Sequence, residues 1–175
     1  MKKLITALLL SASATSVFAA DQMTVSGKKI TMSDTRATLI QKFGKPESGT
    51  AQFSNWTLGN LSIYASHPSK GLSQFSVTQT GRKSGSPVIT TGGKTLQLGK
   101  DTIRTATDKL KHGCFSFDEG RQGSTYSMAL QPAGQKYYII LETTGDAYDV
   151  RTMAGMPITG FTFTKENPES SEGCR

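Results

Sequence analysis

Gly27-Lys28-Lys29-Ile30-Thr31-Met32 is answered 66 residues later by Gly93-Lys94-Thr95-Leu96-Gln97-Leu98. Small polar residues and a β-branched run precede each stretch, and each leads into a short amphipathic segment. A recurrence at one fixed offset bears on architecture more directly than any single propensity, because it repeats a whole supersecondary unit.

In the first copy Ser33 is the expected N-cap, with Asp34 in the opening turn. Ala37, Leu39, Ile40 and Phe43 supply an apolar stripe that stops at Gly44 and Pro46. In the second copy Asp101 lies in the opening turn and Ile103, Ala106 and Leu110 form the stripe. Lys109 and Lys111 occupy its last turn, and Gly113 is the expected residue just past the end.

After each helix the period shortens to alternation, the mark of antiparallel strands. The first set is expected near 51–58, 60–66 and 72–79, with Leu58-Gly59-Asn60-Leu61 as a tight hairpin. The second is expected near 124–131, 136–143 and 158–165, with Pro132-Ala133-Gly134-Gln135 as its turn. The predicted fold class is therefore α+β: two tandem units, each a short helix packed on a three- to four-stranded antiparallel sheet. The units span 20–80 and 88–175, and the Gly/Ser-rich stretch 81–87 reads as a linker.

Residues 1–19 read as a secretory signal peptide. Lys2 and Lys3 form a charged start, Leu4 to Leu10 an apolar stretch, and Ser16-Val17-Phe18-Ala19 a cleavage site. The apolar run is broken by Ser11, Ser13, Thr15 and Ser16 and is shorter than the ~20 residues that cross a bilayer, so no transmembrane anchor is expected. No Cys follows the run, and no lipid attachment is expected either. Losing Lys2 and Lys3 takes the formal charge from +7 to +5, spread over roughly 155 residues. The cations are scattered, with Arg82-Lys83 the longest cluster, so no nucleic-acid partner is expected. Charged residues at 19% and 18 glycines favour short strands and turns over long helices.

Cys114 and Cys174 are an even pair in a chain expected to be exported, to the periplasm or beyond the cell, and a disulfide is the simplest reading. A metal site would need further ligands, and His112 is the one nearby candidate.

The run Met32-Ser33-Asp34-Thr35, a short helix and Phe43-Gly44-Lys45-Pro46 resembles the repeat unit of the SmpA/OmlA/BamE-type envelope proteins. That unit stands twice in tandem in the secreted β-lactamase inhibitor protein. The resemblance covers most of the chain as a layout and about twenty residues of each half as a motif. It implies the duplicated helix-and-sheet fold. The second copy departs from it, with Gly113-Cys114 where the first has Gly44-Lys45-Pro46. No family binding residue is carried across, because the sheet sequences do not align.

Catalytic constellations are scarce. His67 and His112, the two histidines, lie in different halves and match no nucleophile or metal spacing. His67-Pro68-Ser69-Lys70-Gly71 reads as a turn rather than a Ser/Lys/His system. Cys114 beside His112 could form a thiolate pair, but the disulfide accounts for it more simply. Asp118, Glu119, Asp146 and Asp149 form no evident carboxylate pair for glycoside hydrolysis. Gly92-Gly93-Lys94 precedes a strand, not a helix, so phosphate binding is not expected. The expectation is a non-enzymatic protein with no cofactor, no metal and no catalytic residues.

The sheet faces carry more. Leu61, Ile63 and Ala65 with Phe75 and Val77 should cover the helix, and Phe161 and Phe163 should be core. The opposite face would present Asn60, Ser62, Tyr64 and Ser66 beside Gln74, Ser76 and Thr78, with Trp56 among them, and Tyr138 in the second half. Rigid aromatics among small hydrogen-bonding residues suit protein recognition, although a plain solvated face reads the same way. Trp56, Tyr64 and Tyr138 are the candidate binding residues. The expected function is an exported soluble protein that binds a protein partner in the envelope or extracellular space, an inhibitor of a periplasmic or secreted enzyme. The alternative is a cell-envelope assembly or structural module.

Overall fold

The computed structural model describes residues 21–81 and 87–175. The signal peptide expected over 1–19 and all but the ends of the linker expected over 81–87 lie outside them. The chain opens with the hairpin β1 (Gln22–Val25) and β2 (Lys28–Ile30), then helix α1 (Arg36–Phe43) and strands β3 (Ser48–Gly49), β4 (Phe53–Leu58), β5 (Leu61–Ser66) and β6 (Gln74–Gln79). A second hairpin, β7 (Val88–Thr91) and β8 (Lys94–Gln97), leads to α2 (Ile103–Leu110), β9 (Cys114–Gly120), β10 (Gly123–Leu130) and β11 (Tyr138–Gly145). A one-turn helix α3 (Val150–Met153), β12 (Gly160–Thr164) and β13 (Gly173–Cys174) complete it.

The α+β class holds, and the expected strands fall within a few residues of their places. Strands β3, β9 and β13 and helix α3 had no counterpart among the expected elements. The hairpin glycines have a local cause: Gly27 and Gly93 both sit at positive φ (76° and 71°) in two-residue turns, which costs a residue without Cβ little.

The N-cap of α1 is Thr35, not Ser33. Its side chain accepts from the Thr38 N–H while Thr38 Oγ1 accepts from the Thr35 N–H. Asp34, just before the cap, is committed elsewhere. One carboxylate oxygen accepts from the Thr31 N–H, and the other pairs with Lys42 at 2.5 Å and accepts from the Thr38 hydroxyl. Lys42 also donates to the Lys29 carbonyl, so helix end, helix start and hairpin are tied at one point. The same lock recurs in α2, capped by Thr102: Asp101 accepts from the Gln97 N–H and from Thr105 and pairs with Lys109, which donates to the Thr95 carbonyl. The α1 stripe centres on buried Leu39, with Ile40 and Phe43 half-buried and Ala37 exposed, whereas Ile103, Ala106 and Leu110 are buried as expected. Helix α2 ends on Lys111 in the left-handed region rather than one step before Gly113. Gly113 serves packing instead, since a Cβ there would come within 2.6 Å of Met128 Cε.

The sheets are shared between the halves. β1 pairs with β7 to make one four-stranded sheet, β2-β1-β7-β8, and β6 pairs with β12 to make one nine-stranded sheet, β13-β9-β10-β11-β12-β6-β5-β4-β3. One core joins everything: Met23, Ile30, Ile89 and Leu96 of the small sheet, Leu39 and Ala106 of the helices, and Ile63, Phe75, Val77, Phe161 and Phe163 of the large one. Each large side chain so buried contributes about 1.5–3 kcal/mol. Ile63, Phe75, Val77, Phe161 and Phe163 all project from one face of the nine-stranded sheet.

Candidate binding surface

Which side chains reach the other face follows from register. The two-residue turn Gly59-Asn60 sets Leu58 opposite Leu61, so Trp56 faces Ile63 and Asn55 faces Tyr64. Because strand side chains alternate, Trp56 and Tyr64 lie on opposite sides of the sheet. Trp56 is 3% exposed, packed near Phe43, and donates its indole N–H to the Gly44 carbonyl at 2.9 Å. This corrects the expectation that it joins the recognition face; it is a core residue. Phe53 takes its place, stacked on Tyr64 with ring centroids 6.4 Å apart.

Carried across the ladder, the outward positions line up in rows. One runs Ser116, Ser127, Glu142, Gly160, Thr78, Ser62 and Thr57; the next runs Ala129, Ile140, Thr162, Ser76, Tyr64 and Asn55. A third holds Tyr138, Thr164, Gln74, Ser66 and Phe53. Tyr64 and Tyr138 are therefore on the same face, half-buried, on either side of β12 and β6. Between them the floor is low and polar, with Thr162 donating to Ser76 at 2.9 Å and Gln74 to the same hydroxyl at 3.0 Å.

Phe53, Ile140 and Glu142 also lie on this face and were not among the candidate binding residues, although their alternation with core residues carries the signal. Tyr148 was also missed. On the loop between β11 and α3, it is 57% exposed, the large apolar side chain most open to solvent among the described residues.

Electrostatically the face is uneven. None of the outward positions of β4, β5, β6, β9, β10, β11 or β12 is Lys or Arg, though the chain has 20 of them, while Glu142 and Asp118 both point outward. Burial pushes the Glu142 carboxyl above its ordinary value, and no hydrogen bond or ion pair from a described residue reaches it.

The candidate catalytic groups stay apart. His67 is buried, with Ala51 O and Ser54 Oγ each 3.0 Å from a ring nitrogen, while Ser69 and Lys70 are exposed beside it. A carbonyl can only accept, so Nδ1 carries a proton. His112 is exposed and borders a cavity of about 650 Å³ that includes neither His67 nor Ser54. Among the described residues no three His, Cys, Asp or Glu side chains are grouped to hold a metal.

Cys114 and Cys174 form a disulfide joining β9 to β13. No helix of the described residues is long and apolar enough to cross a membrane. No family model, curated protein or solved structure matches the chain.

Proposed function

We propose that the chain is an exported protein-binding protein, an inhibitor of a periplasmic or secreted enzyme, and that it binds through the outward face of its nine-stranded sheet. The observation that carries this reading is that face itself. It runs unbroken across seven strands, lies opposite the described helices, and sets Phe53, Tyr64, Tyr138 and Ile140 among hydroxyls and amides. Aromatics with few rotatable bonds supply contact area at low entropic cost, and short polar side chains supply adaptable hydrogen bonds.

The paired Asp–Thr–Lys locks, at corresponding places beside α1 and α2, support reading the halves as copies of one SmpA/OmlA/BamE-like unit fused through shared sheets. Export is supported by the disulfide together with the N-terminal sequence. Among the described residues no nucleophile, base and oxyanion donor converge, which favours binding over catalysis.

Affinity capture from periplasmic and secreted fractions tests the reading, using the wild type beside a Phe53→Ala/Tyr64→Ala/Tyr138→Ala triple variant. A stoichiometric complex with a soluble enzyme whose activity falls on binding, and which the triple variant does not capture, is expected. Capture of outer-membrane assembly components instead would favour a structural module. A partner held equally by both proteins would remove the sheet face from the proposal.

A further inference from the structure

On the reading that this face binds protein, we infer that Glu142, beside the gap left by Gly160, is the anchor for one cationic side chain of the partner, an arginine in preference to a lysine. Glu142 on β11 stands directly across from Gly160 on β12, and Gly160 directly across from Thr78 on β6. A Cβ placed on Gly160 would lie 3.6 Å from Glu142 Cβ, 3.7 Å from Glu142 Oε1 and 3.8 Å from Thr78 Oγ1. The missing side chain therefore opens a notch with a carboxylate on one wall and a hydroxyl on the other. On the far side of Glu142 stands Ser127. Neither the Ser127 nor the Thr78 hydroxyl is hydrogen-bonded to another described residue.

A carboxylate half-withdrawn from water and left without a donor costs free energy in the isolated protein. It is also poised to gain more from an incoming cation than a fully hydrated one, because less hydration remains to be removed on binding and the local dielectric is low. Burial already disfavours the charged form of this carboxyl, which is the same fact seen in its titration. The planar guanidinium can meet both carboxylate oxygens and still present N–H groups to a neighbouring hydroxyl, which an ammonium does less well.

The surroundings agree on sign. In a chain with 20 Lys and Arg against 13 Asp and Glu, the strand positions of this face hold no cation to compete for Glu142. Ile140 and Thr162, one row along, offer apolar surface for the aliphatic stem of the ligand.

The test needs no knowledge of the partner. The ¹⁵N-labelled, disulfide-bonded protein is titrated at millimolar concentrations with acetyl-Ala-Arg-Ala-amide, with its lysine counterpart, and with the citrulline peptide, which keeps the shape and lacks the charge. The expected result is saturating amide shifts centred on Thr78, Ser127, Glu142 and Gly160 with the arginine peptide, and weaker shifts with lysine. Citrulline should give none, and Glu142→Gln should bind at least about tenfold more weakly. Gly160→Val, which fills the notch and leaves the charge, should also lose the response.

Equal shifts with citrulline, shifts centred on Asp118 and Glu119, or no shift at any concentration would overturn the assignment. If the peptide fails while the partner is still lost by the aromatic triple variant, the anchor is wrong and the binding face stands. If the peptide succeeds while partner capture ignores the aromatics, the cation site stands and the proposed face does not.

Discussion

The Trp56 indole N–H donates to the Gly44 carbonyl at 2.9 Å, joining the middle of β4 to the residue that caps the C-terminus of α1. The ring also packs against Phe43, with centroids 5.9 Å apart, and Phe43 stacks on Phe75. Trp56 thus closes the joint between helix and sheet. Trp56→Ala is expected to destabilise the protein by about 3–5 kcal/mol, as for a large buried aromatic. Tyr64→Ala, on the opposite face, should cost about 1 kcal/mol or less. Urea denaturation of the two variants separates them, and equal losses would contradict the faces assigned here.

The two Asp–Lys locks give the protein an acid-sensitive stability. Burial acts to raise the Asp34 carboxyl, but the Lys42 partner and the hydrogen bonds from the Thr31 N–H and Thr38 hydroxyl outweigh it, so the net shift is downward from 3.8. Asp101 behaves alike with Lys109, Gln97 and Thr105. A carboxyl lowered in the folded state stabilises it fully above the unfolded value, and that stability is lost as pH falls through the lower folded value. Unfolding free energy should therefore drop below pH 3.8, and Asp34→Asn with Asp101→Asn should flatten that decline. At neutral pH each substitution is expected to cost about 1–3 kcal/mol. Chemical denaturation of the double variant across pH 2–7 checks both statements.

Reducing Cys114–Cys174 opens a link between residues 60 apart in sequence. In the chain-entropy account its loss costs about 4 kcal/mol. β13 is otherwise held by a short ladder: Gly113 and Arg175 exchange N–H to carbonyl bonds, and the Glu172 N–H donates to Phe115 O. The Arg175 guanidinium adds a contact 5.4 Å from the Phe115 ring centre. Hydrogen exchange after reduction should show the Gly113, Glu172 and Arg175 amides losing protection first, with β4 to β6 unchanged. Uniform loss across the sheet would contradict a local latch.

His67 is a structural residue. His67→Ala would leave the Ala51 carbonyl and the buried Ser54 hydroxyl without partners, and a loss of about 2–4 kcal/mol is expected. Ser54→Ala/His67→Leu, which removes the polar pair together, should recover part of it. Thermal melts of the two variants decide the point.

Much of the sheet could be read from alternation. Leu61, Ile63, Ala65, Phe75, Val77, Phe161 and Phe163 all face the core as the pattern required. Which candidate residues share the outward face was half legible. Tyr64 and Tyr138 lie on the outward face, and Trp56 was misplaced although the needed fact was present: a two-residue turn at Gly59-Asn60 forces Trp56 opposite Ile63. Reading the turn and the face together would have substituted Phe53. The cap of α1 was misread because Ser33, Asp34 and Thr35 all favour such positions, and only the pull of Lys42 and the Thr31 N–H on Asp34 separates them. Strand β9 was legible in the alternation Phe115-Ser116-Phe117-Asp118, but that run is short and ends in the polar Glu119-Gly120. The union of β6 with β12 carries no local mark at all, since its partners stand more than eighty residues apart, as Val77 does from Phe161.

That last pairing sets an order of events. β12 is synthesised after both β6 and β11, yet it sits between them. Until residue 164 is available, β6 and β11 each present an unpaired edge, and contacts so distant in sequence form slowly because the intervening chain must first be brought together. Two open edges of apolar-alternating sequence are templates for pairing with other chains. The emerging chain thus passes through a stage in which pairing with its own β12 competes with pairing with neighbouring chains. A holdase that covers those edges would be expected to raise the yield of folded protein.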